Sequence, residues 1–152
     1  MKNLKIWSLA LALLMVVTGC DDKATDNFKP GDVSKIVAEW QLTEWDGEEA
    51  PFDVYVNFDG VNVVIYQRIY SAVYEKYDAT YTLSGNTLSG LYATGAEFGP
   101  YRAEVSADGE TLRLHKAEGD RDIMSVYKKT TIPEWVKSEA SATRAAEGVP
   151  FL

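Results

Sequence analysis

Between residues 35 and 130 the apolar side chains recur at every second position, in short runs separated by turn-forming residues. No other feature limits the possible folds so strongly, because a period of two is that of a strand with one buried face. Ile36, Ala38, Trp40 and Leu42 form the first run, and Phe52, Val54, Val56 and Phe58 the second. Asp59-Gly60 then marks a tight hairpin. Residues 62–68 are rich in Val, Ile and Tyr; Tyr77, Ala79, Tyr81 and Leu83 alternate with polar residues up to a turn at Ser84-Gly85-Asn86. Leu88, Gly90 and Tyr92 precede breaks at Gly95 and Gly99-Pro100. Tyr101, Ala103 and Val105 lead to Asp108-Gly109, then come Leu112 and Leu114, and residues 122–129 close the series. Eight short strands at regular spacing predict an antiparallel barrel or sandwich. Trp40, Phe58, Leu112 and Leu114 fall on the apolar parity and are the expected core, with Trp40 at a closed end.

Residues 62–77 allow a second reading. Ile65, Ile69 and Val73, with Tyr66, Tyr70 and Tyr74, also repeat every four residues, as on a helix. Equal parity and the Val, Ile and Tyr content favour two strands with a loop near Ser71. After residue 130 the pattern changes. Thr131 and Glu134 have capping-box spacing, Pro133 suits a first turn, and residues 132–144 read as a helix docked through Trp135 and Val136. The apolar residues 148–152 either pack on the body or fray.

The N-terminus reads as an address. Lys2 and Lys5 precede twelve nearly all apolar residues, 6–17, too few to span a bilayer. Val17-Thr18-Gly19-Cys20 follows, and small residues before a cysteine resemble the bacterial lipobox, in which the thiol is acylated and becomes the new N-terminus. A plain secretory peptide is the alternative. The chain thus divides into a signal peptide at 1–19, a polar tether at 20–34 from a lipidated Cys20, a barrel at 35–130, and a C-terminal helix and tail at 131–152. Asp21-Asp22 after the cysteine resembles an inner-membrane retention signal in enterobacterial lipoproteins and a surface-export signal in Bacteroides-like bacteria.

Several runs in order resemble the lipocalin-like (calycin-like) lipoproteins of Bacteroides-type bacteria: Glu39-Trp40, DATYTLSGNTL at 78–88, LYATG at 91–95, DGETLRL at 108–114, Val126-Tyr127-Lys128 and Ile132-Pro133-Glu134. The resemblance covers roughly residues 36–152. It implies an all-β, eight-stranded antiparallel up-and-down barrel outside the cytoplasm; with the short C-terminal helix and the lipobox, the expectation is a palmitate-type acylated anchor in the cell envelope, at the periplasmic face or the surface of the outer membrane. It implies no established activity. Ala38 and Asp78-Ala79 depart from glycines of the wider lipocalin pattern, and no arginine matches the one that stacks on the lipocalin tryptophan; Lys128 or Lys129 lies nearest.

Charge and chemistry narrow the function. The chain has 15 basic and 23 acidic side chains; without Lys2 and Lys5 the balance is 13 to 23, or −10. Such a surface repels phosphate backbones, so no nucleic-acid partner is expected. One cysteine and one histidine exclude a disulfide scaffold and a cysteine or multi-histidine metal site, and no cofactor motif is present. His115, beside Arg113, reads as a solvated surface residue, and Glu48-Glu49 and the acidic pair around Arg121 as solvated turns, so no enzyme activity is expected. Aromatic surface remains. Tyr66, Tyr81, Tyr92 and Tyr101 are the candidate ligand-binding residues, since tyrosine offers both apolar area and a hydroxyl. Two readings stay open: a barrel that holds a small apolar or amphipathic molecule in its mouth, or a filled barrel that meets an unidentified protein partner. The small inward residues Gly90, Ala103 and Ala79 favour space, and Phe58 and Tyr81 favour filling.

Overall fold

The structure, a computed structural model, describes residues 28–142 and 148–152. The strands are β1 (Glu39–Trp45), β2 (Glu48–Glu49), β3 (Asp53–Asp59), β4 (Asn62–Arg68), β5 (Glu75–Ser84), β6 (Thr87–Tyr92), β7 (Glu97–Val105), β8 (Thr111–Glu118) and β9 (Arg121–Lys129). All neighbours pair antiparallel, β1 with β3 and then in chain order to β9, and β1 also pairs with β9, from Trp40↔Lys129 to Trp45↔Ser125. That last ladder closes an eight-stranded up-and-down barrel, with β2 as a two-residue flap on β1. The flap was not expected. Its turn is Asp46-Gly47, whose φ values of 53° and 85° suit the tight hairpin that an Asp-Gly pair favours.

Alternation decides the core. Trp40, Val54, Val56, Phe58, Val63, Ile65, Leu88, Leu112, Leu114 and Tyr127 all point inward, each at most 1% exposed. Residues 62–77 form β4, an irregular loop and β5, so the strand reading holds and the helix reading fails. Gly99-Pro100 lies inside β7 instead of ending a strand: the ladder to β6 shifts register between Leu88 and Gly90, and this lets both Phe98 and Tyr101 face inward.

One end is closed. A short 3-10 turn, Val33–Ile36, packs Ile36 into it, and the Ile36 carbonyl accepts a 2.8 Å bond from Trp40 Nε1. Residues 29–31 run along the β7–β8 hairpin, with Gly31 N donating to Val105 O at 2.7 Å and Ala107 N to Lys29 O at 2.7 Å. A Cβ on Gly31 would sit 2.6 Å from Ser106 O, so only glycine permits the approach. Residues 28–34, expected in the tether, therefore belong to the folded body; Cys20 and the signal peptide lie outside the described residues.

The helix α1 (Glu134–Ala142) covers an aromatic patch on the outer wall. Cross-strand partners Tyr55 and Tyr66, with Tyr74, pack there against Ile132, Val136 and Ala140. Val136 is fully buried, whereas Trp135 is 57% exposed and touches Tyr74 edge-on. The helix starts later than expected because Glu39 holds its approach: one carboxylate oxygen accepts from Ile132 N at 2.7 Å and the other pairs with Lys137 at 3.0 Å. Glu134 contacts Lys137 at 3.1 Å.

Candidate functional site: the barrel mouth

The end opposite the 3-10 turn holds a cavity of about 370 Å³. Its walls come from Trp45, Phe52, Ile69, Tyr101, Ile123 and Ser125, with Lys116 and Glu118 at the rim and residues 149–152 across it. Each wall residue has a local cause. Trp40 and Leu42 face inward, so strict alternation would turn Trp45 outward. The β1–β9 register shifts between Leu42 and Glu44, and that bulge aims Trp45 into the mouth opposite Ser125. Trp45 leans on Phe52 at 5.6 Å between ring centroids, and Phe52 on Phe151 at 5.4 Å. Lys116 continues the inward parity of Leu112 and Leu114, and its Nζ lies 5.6 Å from the Tyr101 ring centre. Burial, with Glu118 adding repulsion, pushes the Tyr101 hydroxyl up to about 12. The site thus presents apolar walls, a neutral phenol, one cation and one carboxylate.

The four tyrosines singled out in the sequence do not come together. Tyr101 lines the cavity. Tyr92 is inward and 5% exposed, and its hydroxyl donates to the main-chain oxygen of Leu152. Tyr81 lies in the closed half, edge-on to Phe58 at 5.0 Å, as core. Tyr66 faces outward under α1, because the odd-numbered positions of β4 point inward. The four residues expected as core are buried, at 1% exposure or less. The space expected at Gly90 is taken: a Cβ there would overlap the Phe98 ring.

Two contributors escaped the sequence reading. Trp45 was hidden by the bulge. Gln67 is fully buried and continues the inward set Val63, Ile65. A polar residue on an apolar parity was the available signal. Its Nε2 donates to Val149 O at 3.0 Å, and its Oε1 accepts from Phe151 N at 2.8 Å.

His115 is on the outer wall as expected, but it is not well solvated. Its side chain is 12% exposed, with Nδ1 3.2 Å from Asp122 and Nε2 3.3 Å from Glu104, and Arg102 contacts both carboxylates. The pairing Arg102↔His115 across β7 and β8 packs these side chains over the ring. Among the described residues no group of three His, Cys, Asp or Glu is placed to hold a metal ion.

The fold is similar to that of a lipocalin-like protein. That crystal structure, from Bacteroides uniformis, is 18% identical and covers 63% of this chain and 99% of its own, with a TM-score of 0.49. An uncharacterized protein from Bacteroides eggerthii is 21% identical and covers 62% of this chain and 98% of its own, with a TM-score of 0.47. No family model and no curated protein matches the sequence.

Proposed function

We propose that this chain is an envelope lipoprotein whose barrel mouth binds a small, uncharged or weakly cationic amphipathic molecule. The observation that carries the reading is the cavity of about 370 Å³, large enough for a compact guest, with aromatic and aliphatic walls and a few polar groups to orient it. The acidic surface disfavours concentration of anions at the mouth. Lys116 and Glu118 on one rim suit a neutral or zwitterionic head better than a bare carboxylate.

The anchor fits this geometry. The segment that carries Cys20 joins the body at the closed end, along the β7–β8 hairpin. The eight residue steps from Cys20 to Phe28 reach at most roughly 29 Å. An acylated Cys20 would tether the barrel through its closed end, leaving the mouth free of the attachment.

The test is a titration of detergent-extracted protein, its intact mass starting at an acylated Cys20, with a neutral naphthylamine probe, a quaternary-ammonium amphiphile and a fatty acid, read by tryptophan fluorescence. Saturable binding of the first two is expected, with the signal lost in Trp45→Phe. Binding of fatty acid alone would contradict the charge argument. Absence of binding by all three would retire the ligand reading in favour of the filled barrel that meets a protein partner.

A further inference from the structure

Two buried side chains beside the mouth, Gln67 and Tyr92, direct three polar atoms at the main chain of residues 149–152. Gln67 uses both ends of its amide on residues 149 and 151, donating to one carbonyl and accepting from one N–H. That is how a strand neighbour is read, through alternate residues on one edge. Tyr92, two strands away, donates to the main-chain oxygen of Leu152. Side chains share in the hold: Leu152 is 8% exposed and joins the barrel core, and Phe151 packs edge-on against Phe52, while Val149 is 70% exposed. An amide buried on β4 between Ile65 and the rim would be costly to leave unpaired, so its place on an apolar parity needs a partner. The partner present is the short peptide 148–152.

We propose that the mouth is a main-chain-reading site for an extended apolar peptide, that residues 148–152 are its resident ligand in cis, and that a small molecule enters by displacing them. The tail closes the mouth as a removable plug. Gly148 sets its entry: a Cβ there would lie 2.7 Å from the Tyr77 hydroxyl. The displacement clause rests on the ligand reading above, while the peptide seat stands without it.

The experiment uses the full chain in two arms. In the first, hydrogen exchange follows the Phe151 amide, which Gln67 holds in the free protein. Saturation with the neutral naphthylamine probe should lower its protection at least tenfold; protection unchanged or raised with probe bound would overturn displacement. In the second, a fluorescent Gly-Val-Pro-Phe-Leu peptide is added to wild type and to Phe151→Asp, whose charged tail should leave the mouth. Binding at least tenfold tighter to the variant is expected, and equal binding or none would overturn the peptide site. Gln67→Leu keeps the apolar filling, and its Phe151 amide should lose at least tenfold protection even if Phe151→Asp fails to fold; full protection there would also overturn it. A probe that binds neither protein, with the peptide arm positive, would sink the ligand reading alone.

Discussion

Strand β1 carries a tryptophan at each end of the barrel, and the two show how differently its halves are built. Trp40 is fully buried, and its ring nitrogen is satisfied by the 3-10 turn that seals the closed end. Trp45, five residues on, is 38% exposed and leans on Phe52 beside a cavity. The walls of the closed half are made of side chains fixed by strand alternation, capped by the 3-10 turn. The mouth depends on irregularities: a bulge in β1, a two-residue flap, and a tail from the far end of the chain. An eight-stranded barrel is only just wide enough for its own side chains, so space appears only where such devices hold the rim open.

The sharpest way to break the comparison is to cut volume from the closed half. Trp40→Ala should cost about 3–5 kcal/mol, because the site is enclosed by packed strands and cannot collapse. Urea melts measure it. A loss below about 1 kcal/mol would show that the two ends are not built differently.

Alkaline pH tests the boundary between the halves. Burial raises the hydroxyls of Tyr92 and Tyr127, and holds Tyr101 at about 12, against an ordinary value near 10. Between pH 10 and 12 the unfolded chain loses these protons while the folded chain keeps them, so the stabilisation is full below pH 10 and falls as pH rises through that window. Tyr101 alone accounts for about 2 kcal/mol by its upper end. Melts at pH 8, 10 and 11 should show the decline, with a shallower slope for Tyr101→Phe. An unchanged slope would place Tyr101 in water, and the packed half would then end below it.

The same division separates what the sequence made legible from what it did not. The eight strands and the core set Trp40, Phe58, Leu112 and Leu114 follow from a period of two and from Gly-containing turns, both of which are local. Tyr66 went astray despite the same rule, since the odd parity of Val63 and Ile65 already turned it outward. Trp45 could not be placed by parity, because a bulge is a property of two paired strands. The Asp46-Gly47 turn was legible as a pair favouring a hairpin, but a two-residue strand has too little pattern to register. Gln67 announced itself only as a polar residue in an apolar row. Its partner, 82 residues away at Val149, is set by tertiary folding. The contacts that shape the mouth are long-range, as are those that cap the closed end with residues 29–36, whereas the inward set of the closed half is largely written in each strand.

The smallest expected effect is the most discriminating. Trp45→Ala removes as many atoms as Trp40→Ala, from the same strand and the same sheet. Its ring is already partly hydrated, its main neighbour Phe52 is itself at the rim, and the space it leaves joins an existing cavity open to water. No sealed void forms, so the cavity penalty is absent and only the transfer of the half-buried ring is lost. The stability change should be about 1 kcal/mol. Binding of the neutral naphthylamine probe should nevertheless weaken severalfold, since the ring is part of its wall. A variant as damaged as Trp40→Ala would mean that the mouth is core. One with undiminished probe binding would mean that the cavity beside Trp45 is not where the guest sits.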